Sequence, residues 1–344
     1  MKQISVRGPH KVVLEEAPTP DIGPDDVLVR VLATGICGTD VEIVHGTMPY
    51  YTRGMASYPM TPGHEWVGEV VSHGGDVRGF AAGDRVVGEC SVGCMSCDRC
   101  LSGNYHRCLD RHETGILRRP GAFAEYIAFP ALFLHKITKD IDVNAAALVE
   151  PTAVAFNGVK AGGVGPRDYL AIHGDGPIGL LLLMVARAFG AKKIAMVGMT
   201  PVRLEMAGKL GADIVIQADK EDVADALARG GNGAFPDVAI EATGVPAASA
   251  MAINTVSPGG RVVLQGMCGG QKLPDFDLDQ IVINDISVKG ALGSPNIWPD
   301  VIALIESRRV DPTAIVTHTL PLDQFEQGLG VVTGREGIKV VIAQ

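Results

Sequence analysis

Residues 169–188 read YLAIHGDGPIGLLLLMVARA. An apolar stretch of strand length, YLAIH, runs into a glycine turn, and an apolar run of helix length follows. Within the turn, Gly174, Gly176 and Gly179 are spaced G-x-G-x-x-G. Alone that spacing is a weak signal; between a strand and a helix it marks a loop built to hold a pyrophosphate. The first glycine makes the turn, the second lets the backbone approach the phosphates, and the third lets helix and strand pack closely. The helix N-terminus adds unpaired N–H groups and a positive dipole.

The alternation continues downstream. KIAMVG at 193–198 reads as a strand, PVRLEMAGKLG as a helix and DIVI as a further strand. More strands are expected at 237–241, 261–266 and 286–290. Strands and helices in alternation predict a parallel sheet covered on both faces, an α/β architecture. The first part of the chain has another texture. VLVRVL at 27–32, EWVGEVV at 65–71 and GDRVV at 83–87 alternate apolar and polar residues between turn signals, which predicts a β-rich domain. The change falls near residue 145, where AAALVEPTAVAFNGVK suggests a helix broken near Pro151. After about residue 291 come a helix, WPDVIALIES, and a closing strand, KVVIA. The expected division is therefore 1–150, 151–290 and 291–344, with a lobe at about 88–112.

Composition narrows the function. The chain has 344 residues, which makes two domains the natural expectation. Its formal net charge is -9 and it shows no basic cluster, which argues against a nucleic-acid partner. The N-terminus has no apolar signal segment, and the run Ile178–Ala186 is too short to cross a membrane. A soluble, cytoplasmic protein is expected. There thiols stay reduced, so clustered cysteines point to metal or catalysis.

Four of the seven cysteines lie within residues 94–108, CMSCDRCLSGNYHRC. Cys94, Cys97, Cys100 and Cys108 are spaced C-x2-C-x2-C-x7-C. Two-residue gaps let thiolates converge on one ion, and four thiolates close a tetrahedral zinc shell, so a structural role is expected. An iron–sulfur cluster is the rival, but ferredoxin-type runs have other spacings. Cys90, outside the spacing, reads as a buried small residue that could compete as a ligand.

The form of the dinucleotide depends on the end of the second strand. An acidic residue about twenty positions after the glycines would bind the ribose hydroxyls of NAD. Gly198 stands there, with no carboxylate to repel a 2′-phosphate. Thr200 could donate to that phosphate and Arg203 could pair with it, which favours NADP over NAD. Arg203 stacked on adenine would suit NAD as well. Pro177 and Ile178 in the loop, with Thr243, Gly266 and Ala291 downstream, are further expected cofactor contacts.

A second set of donors lies outside the cluster. GICGTD holds Cys37 and Thr39, PGHEW holds His64 and Glu65, and LVEP holds Glu150. Cysteine, histidine and glutamate all bind zinc, and three ligands with one open position make a catalytic site. Singly, Cys37 could be core, His64 a satisfied polar residue and Glu150 a helix cap.

These motifs, in this order along nearly the whole chain, closely resemble the zinc-dependent medium-chain dehydrogenases. The branch most similar is that of the polyol and threonine dehydrogenases, with aminocyclitol dehydrogenases nearby. The resemblance implies a GroES-like catalytic domain built from both chain ends, an inserted Rossmann domain, a cleft between them, and a homodimer or homotetramer. It implies two zinc ions per chain. Cys37 and His64 would hold the catalytic one, with Glu65 as third ligand or Glu150 alternating with it. Cys94, Cys97, Cys100 and Cys108 would hold the structural one. The implied reaction passes hydride between NAD(P) and a secondary alcohol or ketone, Thr39 taking the alcohol proton. Many relatives continue the proton relay with a histidine three residues after Thr39; this chain has Glu42 there, with His45 nearby. The segment 45–60, rich in tyrosine and methionine, would border the substrate, where tyrosine hydroxyls and Arg53 suit a polyhydroxylated or anionic molecule. A zinc-independent quinone or enone reductase would lack both cysteine motifs. A non-catalytic sensor on this fold would be expected to have lost part of the ligand set.

Overall fold

The computed structural model describes residues 1–273 and 276–344. The chain forms two compact units, Met1–Glu150 with Gly293–Gln344, and Pro151–Leu292. No helix among the described residues is long and apolar enough to cross a membrane.

In the first unit the alternating segments form a seven-stranded sheet, ordered Leu134–Lys136, Arg85–Gly88, Glu65–His73, Asp26–Gly35, Lys339–Ala343 and Val316–Pro321, with Tyr126–Pro130 also pairing Asp26–Gly35. Strand Asp26–Gly35 runs antiparallel to Glu65–His73 in a register that sets Gly35 opposite Glu65. On its other side it pairs Lys339–Ala343. The two ends of the chain thus share one sheet. Val27, Val29 and Val31 pack with Trp66, Phe129 and Phe133 in one core, and Ile36, Phe123, Phe325 and Ile342 form a second.

The second unit is a six-stranded, all-parallel sheet. Its order is Ile214–Gln217, Lys193–Gly198, Tyr169–His173, Val238–Glu241, Arg261–Leu264 and Ser287–Gly290. This is the doubly wound Rossmann order, and it reverses beside Tyr169–His173, where such sheets bind ligands. Every residue of that strand is buried, as helices on both faces require. Helix Pro177–Ala188 buries Gly179–Ala186 without a break, so its run of four leucines is interior packing.

The expected helix break differs in detail. Val143–Ala147 and Val149–Ala161 are separate helices that part at Leu148. Pro151 lies in the first turn of the second, where it removes no intrahelical hydrogen bond.

Candidate active site and cofactor loop

Cys37 is the N-cap of helix Gly38–His45, which follows directly on strand Asp26–Gly35. His64 and Glu65 sit where the next strand begins. Asp40, wholly buried, joins the two segments: its carboxylate accepts from the backbone N–H of Cys37 at 2.8 Å and of Gly63 at 3.2 Å. Donor atoms of Cys37, His64 and Glu65 consequently all lie within 4.8 Å of one another. Glu150 falls outside that set but remains electrostatically coupled to His64.

Charge explains what this arrangement asks for. Asp40, Glu65 and Glu150 are three buried carboxylates, and Lys339 is the buried cation beside them. Lys339 Nζ pairs with Glu65 and donates to the Ile36 carbonyl at 2.8 Å. Burial opposes its charge, yet Glu65 and its anionic neighbours hold its pKa above the usual lysine value. Burial likewise works against a charged His64, but Cys37, Asp40 and Glu150 push its pKa well above the ordinary range. Burial pushes Glu150 up to about 7. His64 Nδ1 has no hydrogen-bond partner among the described residues. A largely buried cluster of sulfur, nitrogen and oxygen donors with three carboxylates crowded beside it is an environment that a dication relieves.

Gly35 is fixed by the same packing. A Cβ there would come within 2.1 Å of Glu65 Oε2 and 3.1 Å of Lys339 Cε, so any side chain would displace the pair.

Thr39 is half-buried in the first turn of its helix. Glu42 is half-buried, with its pKa raised by burial, while His45 is exposed against the ring of His10. Arg53 is exposed. Tyr58 donates to the Ile43 carbonyl at 2.6 Å, and Tyr50 bonds to Glu113 and Arg111, so both hydroxyls are committed within the protein. The buried Tyr51 hydroxyl has no hydrogen-bond partner among the described residues.

The four clustered cysteines also converge. Cys94 and Cys100 sulfurs are 3.9 Å apart, and those of Cys97 and Cys108 are 3.8 Å apart. A tetrahedron with Zn–S bonds of about 2.3 Å has edges of about 3.8 Å, so the spacing fits that ion. The Ser96 hydroxyl, with backbone N–H groups of Ser96 and Cys97, holds the Cys94 thiol down to about 6. Cys90 belongs to neither donor set. A buried network seats the lobe: Tyr105 donates to Glu89 at 2.6 Å, Glu89 meets His135 at 2.9 Å, and His135 stacks on Trp298. The sequence held no signal for it, because its members span 210 positions.

In the second unit, Gly174 has φ 124°, open to glycine. A Cβ on Gly179 would lie 1.8 Å from the Gly174 carbonyl oxygen, so helix and loop touch there. A Cβ on Gly176 would meet no described residue within 4 Å, leaving room for a ligand against the backbone. Thr243 and Gly244 follow the fourth strand and donate backbone N–H to Glu241 at 2.6 and 3.0 Å. Gly266 packs against Gly244, and Ala291 continues from the last strand, donating to Leu264 at 3.1 Å. The end of the second strand carries one feature the sequence reading did not include. The sequence there shows no acidic residue, but the glycine loop supplies one. Asp175 reaches across and accepts from the N–H groups of Met199 and Thr200.

Family models match on both sides of this division: alcohol dehydrogenase GroES-like domain over residues 23–139 and zinc-binding dehydrogenase over 177–307. The chain is 34% identical over 345 residues to the L-threonine 3-dehydrogenase of Shewanella woodyi, covering 99% of each. It is 36% identical to the erythritol/L-threitol dehydrogenase of Mycolicibacterium smegmatis, covering 99% of this chain and 96% of that one. A zinc-binding dehydrogenase of Sinorhizobium meliloti 1021, solved bound to NADP, superposes with a TM-score of 0.93 at 28% identity, covering 100% and 99%.

Proposed function

The chain belongs to the zinc-dependent medium-chain dehydrogenases, oxidoreductases that act on alcohols with a nicotinamide cofactor, and on that premise we propose its substrate class and the role of each site residue. The substrate is a secondary alcohol of the polyol, sugar, cyclitol or β-hydroxy amino acid kind, or the matching ketone. The names of the threonine and erythritol/threitol relatives support that class.

Cys37, His64 and Glu65 hold one zinc ion and Cys94, Cys97, Cys100 and Cys108 a second. The single observation that carries the reading is the convergence of a thiol, an imidazole and a carboxylate within 4.8 Å in a largely buried cluster beside the carboxylates of Asp40 and Glu150. When bound, the first ion supplies Lewis acidity toward an alcohol or ketone oxygen, and the dinucleotide supplies the hydride acceptor or donor. Asp40 keeps the Cys37 and Gly63 segments in register, and Lys339 orients Glu65. Thr39 receives the alcohol proton. Glu150, poised near pKa 7, can carry either charge state beside the ligand set.

Gly174, Gly176, Pro177, Ile178 and Gly179 cradle the pyrophosphate, with Thr243, Gly266 and Ala291 at the ends of the later strands. The dinucleotide form turns on the second strand's end, where Gly198, Thr200 and Arg203 speak for NADP and Asp175 for NAD. A homodimer or homotetramer is supported by the edge strand Ser287–Gly290, exposed at all four residues, with exposed Leu278, Val282 and Ile283 nearby.

Zinc-loaded protein offered NAD or NADP with a panel of sugars, linear polyols, cyclitols and β-hydroxy amino acids should reduce cofactor with one class. Thr39→Val should lower kcat by about 10²-fold or more at unchanged zinc content. Absence of turnover across the panel at full zinc occupancy, or an active Cys37→Ala variant, would overturn the reading.

A further inference from the structure

Asp175 lies between the first two glycines of the loop, where a side chain has no obvious task. Asp175 is 9% exposed, and one of its carboxylate oxygens is hydrogen-bonded. Oδ2 accepts from Met199 N at 3.0 Å and from Thr200 N at 2.6 Å, the first two N–H groups beyond strand Lys193–Gly198. Oδ1 has no hydrogen-bond partner among the described residues.

The fit is mutual. A Cβ built on Gly198 would sit 2.4 Å from Asp175 Cβ and 2.6 Å from its Cγ and Oδ2. Position 198 is therefore glycine for a steric reason: the side chain of 175 already fills its space. In doubly wound dinucleotide domains, this strand end carries the acid that accepts from the adenosine ribose hydroxyls. Here the carboxylate is present but is delivered from the glycine loop.

From this geometry, and resting on the reading that the unit binds a nicotinamide dinucleotide, we propose that Asp175 is the residue that selects NAD over NADP. The free Oδ1 can accept from a ribose hydroxyl. A 2′-phosphate placed there would meet a carboxylate, and the two backbone N–H groups best able to bind it are already taken. Like charges in contact repel, and the missing donors weaken NADP binding further. The absence of an acid at 198, which alone favours NADP, is thus the counterpart of Asp175.

The test is direct binding of NAD and of NADP to the zinc-loaded protein by titration calorimetry, with thermal unfolding as the check on folding. The wild type is expected to bind NAD at least about tenfold more tightly, roughly the worth of one charge-assisted hydrogen bond. Asp175→Asn should cut that ratio by about tenfold or more, chiefly by tightening NADP. The exchange Asp175→Gly with Gly198→Asp moves the acid to the strand end and should restore the preference for NAD, which guards against a poorly folded single variant. A wild type that binds NADP as tightly as NAD, or an Asp175→Asn protein with an unchanged ratio, overturns the assignment and leaves the dehydrogenase reading intact. Folded protein that binds neither dinucleotide overturns both.

Discussion

Replacing Lys339 by Met would test the electrostatic account of the ligand pocket. Lys339 is 2% exposed and lies against Glu65, which is 1% exposed. Methionine keeps most of the side-chain length but removes the ammonium. Breaking a buried ion pair from one side costs about 3–5 kcal/mol, because the remaining charge is left uncompensated. Asp40 and Glu150 add like charge and push the cost upward. Glu150, already near pKa 7, can take up a proton and soften it. For domains of this size about 1 kcal/mol moves Tm by roughly 2–4 °C, so metal-stripped Lys339→Met should melt roughly 6–20 °C below stripped wild type. Zinc would then supply the missing positive charge. Adding it should raise the variant's Tm by several degrees more than the wild type's, and comparing the two increments cancels the contribution of the four-cysteine site. A stripped variant within about 3 °C of wild type, or equal zinc increments, would refute the claim that excess buried negative charge defines this pocket.

Three further outcomes follow from named contacts. Cys108→Ser should lower zinc content from two ions per chain to one by elemental analysis and destabilise the first unit by several kcal/mol, since binding energy at such sites is folding energy. Retention of both ions would count against the tetrahedral site. Gly179→Ala should abolish dinucleotide binding in calorimetry while zinc content stays unchanged, because its Cβ would overlap the Gly174 carbonyl oxygen; near-normal affinity would show that the loop does not hold the cofactor. His173 is wholly buried, and burial lowers its pKa to about 4. The unfolded chain therefore binds the proton more readily than the folded one. The contribution of neutral His173 is fully present above about pH 6.5 and is lost as pH falls toward 4, amounting to about 3 kcal/mol. His173→Leu should flatten the stability-against-pH curve in that window, and an unaltered slope in denaturant melts would rule out His173 as its source.

The sequence alone determined whatever depends on neighbours along the chain. The G-x-G-x-x-G loop announces itself because strand, turn and helix are consecutive, and the alternation after it dictates a parallel sheet. Four cysteines in fifteen positions read as one chelating set because short spacers limit where the sulfurs can go. The α/β fold class was legible on those grounds, and the family and its alcohol dehydrogenase activity followed from the resemblance that the ordered motifs carry. Tertiary structure decided what depends on which distant segments meet. Cys37 and His64 are 27 positions apart, and only the antiparallel register of Asp26–Gly35 with Glu65–His73, tied by Asp40, brings them together. Lys339 reaches Glu65 from the far end of the chain by joining the same sheet. Asp175 shows the limit most clearly. The second strand ends in a glycine, and the carboxylate that fills the space beside it comes from the neighbouring loop. A residue's type is local, but the space its side chain fills is set by packing, so a carboxylate can serve a position it does not occupy in the chain.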